Sequence, residues 1–149
     1  MITEDRIAQA GKAYERAVYT GDTSGLGEAE AALTAVEADT VLARGKLLHA
    51  RFQSASGDAG SATAEDPAEL PLFERALELY RALGDTRGEA EALFWIGCLH
   101  QFIRRDNETA LPHLERSHRL RDSCAPPGGP EKERPWPAQL RRRNCAAAP

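Results

Sequence analysis

Glu69-Leu-Pro-Leu-Phe-Glu-Arg-Ala-Leu-Glu-Leu79 is written a second time, 41 residues on, as Ala110-Leu-Pro-His-Leu-Glu-Arg-Ser-His-Arg-Leu120. Five of the eleven positions are identical, and three more (Phe73/Leu114, Ala76/Ser117, Glu78/Arg119) exchange side chains of like size or long polar character. Such duplication marks a stack of like helical units, each of which buries its apolar face on its neighbour. The segments ahead of these stretches repeat as well. Leu93-x-x-Ile96-Gly97-x-x-His100 answers to Ile7-x-x-Ala10-Gly11-x-x-Tyr14 and, more loosely, to Val41-x-x-Arg44-Gly45-x-x-Leu48. The glycines lie 34 and then 52 residues apart, and a Ser-, Ala- and Gly-rich insertion at residues 53–66 accounts for part of the surplus. A glycine inside a helix costs about 1 kcal/mol against alanine. Its return at one point of three helices implies close approach of a partner helix.

Working outward, apolar residues recur at helical spacing through most of the chain, and no segment alternates as a half-buried strand does. Six helices are expected, near residues 3–20, 25–38, 40–53, 67–83, 87–104 and 107–121. The first presents Ile7, Ala10, Gly11, Tyr14 and Val18 on one face and ends at Gly21. Asp39 or Thr40 can cap the third, and Asp66-Pro67 opens the fourth with a cap followed by a proline whose missing N–H costs little. Pro71 and Pro112 are placed in the first turns of their helices, where proline is tolerated. Residues 53–66 read as an exposed loop.

Composition fits an all-α chain. Of 149 residues, 42% are hydrophobic and only 6% aromatic, which favours thin helices packed through small side chains. No run of about 18 apolar residues is present, and the polar, acidic N-terminus lacks the features of a secretory leader. Three cysteines, Cys98, Cys124 and Cys145, make no disulfide framework, so a reducing cytoplasm is the expected compartment. Residues 1–120 carry 13 Lys+Arg against 20 Asp+Glu, a net of −7; residues 121–149 carry 6 against 3, a net of +3. An acidic body argues against nucleic acid, whose phosphates need a basic footprint.

The pattern of a large residue, two spacers, Leu-Gly, two spacers and Tyr, with a later Ala-x-x-x-Phe, is that of the tetratricopeptide repeat family. Residues 93–100 with Ala110-x-x-x-Leu114 resemble it well, with His100 in the aromatic place. Residues 7–14 resemble its first half. Residues 41–80 resemble it loosely, since Arg44 sits at an apolar position and Glu69 replaces the small residue. The phrase Leu83-Gly-Asp-Thr-Arg-Gly-Glu-Ala-Glu-Ala-Leu93 is similar to unit junctions in the long-unit bacterial members. The resemblance spans about residues 3–122. It implies an α-solenoid of about three stacked hairpins in a right-handed superhelix, over residues 1–121, followed by a Pro/Arg-rich tail at 122–149.

That tail holds six of the nine prolines and Arg141-Arg-Arg143. Truncation or a shifted frame in a GC-rich gene would produce such a text; a genuine extension that binds something acidic is the alternative. It is expected to stay unpacked, with Trp136 exposed.

No catalytic set is legible. His113 and His118 are five apart and diverge around a helix, and His100 and Cys98 point to different faces, so neither pair makes a zinc site. Cys98 has no evident base, and Gly25-x-Gly27 follows no strand. A non-enzymatic scaffold that binds a protein or peptide is the expectation, without cofactor or metal. A regulatory segment that senses a small molecule or signalling peptide is the alternative. In the resembled family, the first helix of each hairpin lines the concave face. Counting from the glycines, this implies Asp5, Lys12, Glu15 and Arg16 in the first unit, beside Ala8. It implies Asp39, Leu42, Lys46 and His49 in the second, beside Ala50, and Glu91, Phe94, Cys98, Gln101 and Phe102 in the third. Self-association through an uncapped last repeat is the further expectation.

Overall fold

A computed structural model describes residues 3–57 and 64–124. Five α-helices lie among them: α1 (Thr3–Thr20), α2 (Leu26–Ser56), α3 (Glu69–Leu83), α4 (Thr86–Cys98) and α5 (Asn107–Cys124). A π-helical turn, Leu99–Ile103, extends α4. The architecture is all-α, and each helix packs on the next. No helix among the described residues is long and apolar enough to cross a membrane.

The expected break between the second and third helices is absent: α2 runs unbroken for 31 residues. No proline or glycine interrupts residues 28–44, and the two residues that could cap a new start are engaged otherwise. The Asp39 carboxylate accepts the Tyr80 hydroxyl at 2.7 Å, and the Thr40 hydroxyl donates back to the Val36 carbonyl at 2.7 Å. Residues 53–56, expected in a loop, form the last turn of α2. Gly57 and residues 64–66 lie outside the helices, as expected of that loop, while residues 58–63 and the tail from 125, with Trp136, lie outside the described residues.

The other boundaries follow local chemistry. Gly21 (φ 72°) closes α1 and Gly84 (φ 67°) closes α3, each in the left-handed region open to glycine. Asp85 caps α4 by accepting the Gly88 amide at 2.9 Å. Asp106 caps α5, taking the Thr109 amide at 3.0 Å and its hydroxyl at 2.6 Å. Because that cap starts α5 at Asn107, Pro112 falls in its second turn, not its first; Pro71 does stand in the first turn of α3.

The core lies between the second half of α2 and α3 and α4: Leu42, Phe73, Leu77, Leu79, Tyr80, Leu93, Ile96 and Leu99, with alanines 38, 76 and 92. Three of the described glycines sit where a side chain would collide: Gly88, under the Tyr80 ring, and two at matching points of the repeat. A Cβ on Gly45 would stand 2.5 Å from the Phe73 ring, and one on Gly97 would stand 2.6 Å from Leu114. Phe73 and Leu114 are equivalent in the duplicated stretch, so both glycines receive the same knob. Gly11 does not: nothing lies within 4 Å of its Cβ position.

No side chain between residues 4 and 37 is fully buried. The α1 helix meets α2 through Arg6, Ala10, Ala13 and Ala17, all half-buried. The expected face carrying Ile7, Tyr14 and Val18 is instead turned outward, 53%, 64% and 57% exposed. Small alanines permit the closer approach to α2, and that rotates the larger residues away.

Candidate functional site

The second half of α2 and α4 face each other across α3, and their side chains form one aromatic and charged cluster. Its centre is Trp95, half-buried on α4. Its ring stacks on Phe73 (6.1 Å, 20°) and takes edge contacts from His49 (5.4 Å, 71°) and Phe94 (5.4 Å, 75°). The Lys46 ammonium lies 5.4 Å from the indole centroid and 2.8 Å from the Glu91 carboxylate. That ion pair joins α2 to α4 with side chains 40% and 41% exposed, so water screens it and its net contribution to stability is small. Arg121 of α5 covers the other flank, 5.4 Å from the Phe94 ring.

Beneath this surface His49 and Glu69 form a sealed pair, Nδ1 to Oε1 2.7 Å, with side chains 3% and 0% exposed. The Gln53 amide lies 3.2 Å from His49 Nε2. With Gln53 donating to Nε2, the ring proton sits on Nδ1 and is donated to Glu69. Both imidazole nitrogens are then engaged, so the ring holds Glu69 in place. The second oxygen, Glu69 Oε2, is buried with no hydrogen-bond partner.

Of the residues expected on the concave face, the structure brings together Lys46, Glu91, Phe94 and His49. Leu42 belongs to the core, while His49, Phe94 and Cys98 are buried beneath the surface. Burial pushes the Cys98 thiol up to about 12, the opposite of what an activated nucleophile needs. Asp39 holds Tyr80 and lies 3.9 Å from Arg6. Gln101 and Phe102 lie half-buried on the π-helical turn, where Gln101 Oε1 is buried without a partner. Asp5, Lys12, Glu15 and Arg16 stand exposed on α1, outside the cluster, as do Ala8 and, on α2, Ala50.

A second cluster joins α4 to α5. His100 and His113 stack face to face at 5.8 Å and 3°. Burial holds both below the ordinary histidine value, aided for His100 by Arg104 and by His113 itself. Arg104 forks onto Glu65, with two nitrogens each 2.9 Å from a carboxylate oxygen. His100 Nδ1 is buried without a partner. No group of three metal-ligating side chains occurs among the described residues.

A hollow of about 410 Å³, open to solvent, is lined among the described residues by Leu114, Glu115, His118 and Arg119 of α5. Compared with known proteins, the chain matches no family model, no curated protein and no solved structure.

Proposed function

We propose that the chain is a tetratricopeptide-like scaffold that binds a segment of another polypeptide, without catalysis, across the surface shared by α2 and α4. The observation that carries this reading is the Lys46–Trp95–Glu91 cluster. It places an aromatic platform, a cation and a carboxylate together, part-exposed, on the two helices that the repeat pattern assigns to a concave face. Aromatic anchors beside rim charges are the composition of interface centres. The matching seats of Phe73 over Gly45 and Leu114 over Gly97 support hairpins built from α2's second half with α3 and from α4 with α5. The ligand that suits this surface carries one apolar side chain for Trp95 and one charged group for Lys46 or Glu91.

A small-molecule sensor would need an enclosed apolar pocket of several hundred cubic ångströms. The open hollow on α5 does not resemble one.

The test is affinity selection from a peptide library on the full chain, followed by titration of the selected peptide against variants. Lys46→Glu is expected to weaken binding tenfold or more with helical content intact, and Trp95→Phe to weaken it less. An affinity that neither substitution changes overturns the assignment.

A further inference from the structure

We infer that a second copy of this chain covers α1, pairing antiparallel with its α1 to form a two-fold dimer. The surface is the stripe Ile7, Gly11, Tyr14 and Val18, spaced by four, three and four as a coiled-coil seam is. All of it is exposed, and three further apolar side chains of the α1–α2 arm are exposed as well: Tyr19 (83%), Leu26 (41%) and Leu33 (41%).

The stripe is complementary to itself. Reversed on a second copy so that paired residue numbers sum to 25, Ile7 meets Val18 and Gly11 meets Tyr14, each twice. Gly45 and Gly97 each lie under a large apolar side chain, whereas Gly11 stands open, and Tyr14 of the second copy supplies the missing ring. The charges agree. In this register no charged residue falls opposite another of its own sign, since Arg6 meets Tyr19, Gln9 meets Arg16 and Glu15 meets Ala10. The area is also of the right order. Two tyrosines offer roughly 300 Å², and Ile7, Val18, Leu26 and Leu33 add to this, against about 800 Å² per partner in a standard interface.

Head-to-tail stacking does not fit. On α3 the side chains of Leu77 and Tyr80 are buried, while 41 residues on α5 carries His118 and Arg121 at those places. The outward side of α5 shows His118, Arg119 and Asp122, with side chains 73%, 69% and 71% exposed. Stacking α1 on that side would bury charge against an apolar stripe. Pairing α1 with α1 closes the assembly at two.

Sedimentation velocity of the full chain across the micromolar range is expected to show a monomer–dimer equilibrium with no larger species. Val18→Asp should keep it monomeric throughout, with unchanged far-ultraviolet circular dichroism, because that side chain faces solvent in the monomer. In a Cys124→Ser, Cys145→Ser background, Ile7→Cys and Val18→Cys chains should form disulfide-linked dimers when mixed and few when each is alone. Four results overturn the proposal: a monomer at every concentration, a dimer indifferent to Val18→Asp, growth beyond two copies, or a dimer lost when residues 125–149 are deleted.

Discussion

His49 Nδ1 stands 2.7 Å from Glu69 Oε1, and both side chains are sealed between α2 and α3. Glu69 occupies the place held by the fully buried Ala110 in the second copy of the duplicated stretch. A charged residue where its equivalent is alanine survives only with a dedicated partner, and His49 is that partner.

Replacing Glu69 by leucine should therefore leave an orphan imidazole donor and cost about 1–3 kcal/mol. Glu69→Gln, which keeps an acceptor oxygen, should cost less. Urea denaturation of the two variants checks the order, and equal losses would contradict the hydrogen-bonded role of His49.

The glycines should respond with opposite signs. Gly45→Ala and Gly97→Ala force a Cβ into Phe73 and Leu114, and overpacking of this kind costs about 1–3 kcal/mol. Gly11→Ala meets nothing and should gain up to about 1 kcal/mol of helix propensity, read as a raised Tm at concentrations where the chain is monomeric.

Acid should loosen the α4–α5 end first. His100 and His113 titrate below 6.5 in the folded chain and near it when unfolded, so the unfolded state binds more protons as pH falls through that value. Stability contributed by the neutral stacked pair is present above pH 6.5 and is lost below it. The carboxylates of Glu65 and Asp106, held low by Arg104 and by the Thr109 hydrogen bonds, give way only below their ordinary values near 4. Thermal melts from pH 7.5 to 5 should fall in the wild type and flatten in a His100→Gln, His113→Gln variant.

Alkylation should separate the thiols. Cys98 is buried and its pKa is pushed up to about 12 by that burial, while Cys124 is exposed. Iodoacetamide at pH 8 should modify Cys124 and leave Cys98 untouched until the chain is denatured, as peptide mass spectrometry would show.

Much of the fold was legible from the duplicated stretch, because Leu70, Phe73, Ala76 and Leu79 repeat the spacing that packing demands. The α3 and α5 helices and the knobs over Gly45 and Gly97 follow from it. The α2 continuity was not legible: Asp39 and Thr40 read as caps, and only Tyr80, 41 residues away, shows that the carboxylate is already taken. The orientation of α1 failed for a related reason. Periodicity identifies an apolar face but not which of two adjacent faces the partner helix takes, and Ala10, Ala13 and Ala17 won through closer approach. In the candidate site, Lys46 and Glu91 were marked separately by glycine spacing. Their meeting over Trp95 needed the packing angle of the helices. The Glu69 partner had a signal, a carboxylate at a small-residue place, but its direction pointed to no particular histidine.

The continuity of α2 also removes a boundary. In a stack of separate hairpins, the first can open at its junction loop while the rest stays closed. Here residues 26–37 and 38–56 share one hydrogen-bonded ladder, a single helix that packs on both α1 and α3. Loss of α1 leaves a helical stump that frays residue by residue toward Ala38, where burial begins. Amide protection along α2 then rises as a ramp from Leu26 to Leu42, with no step at residue 39, and the ramp measures how far the rigidity of the core reaches into the N-terminal third of the chain.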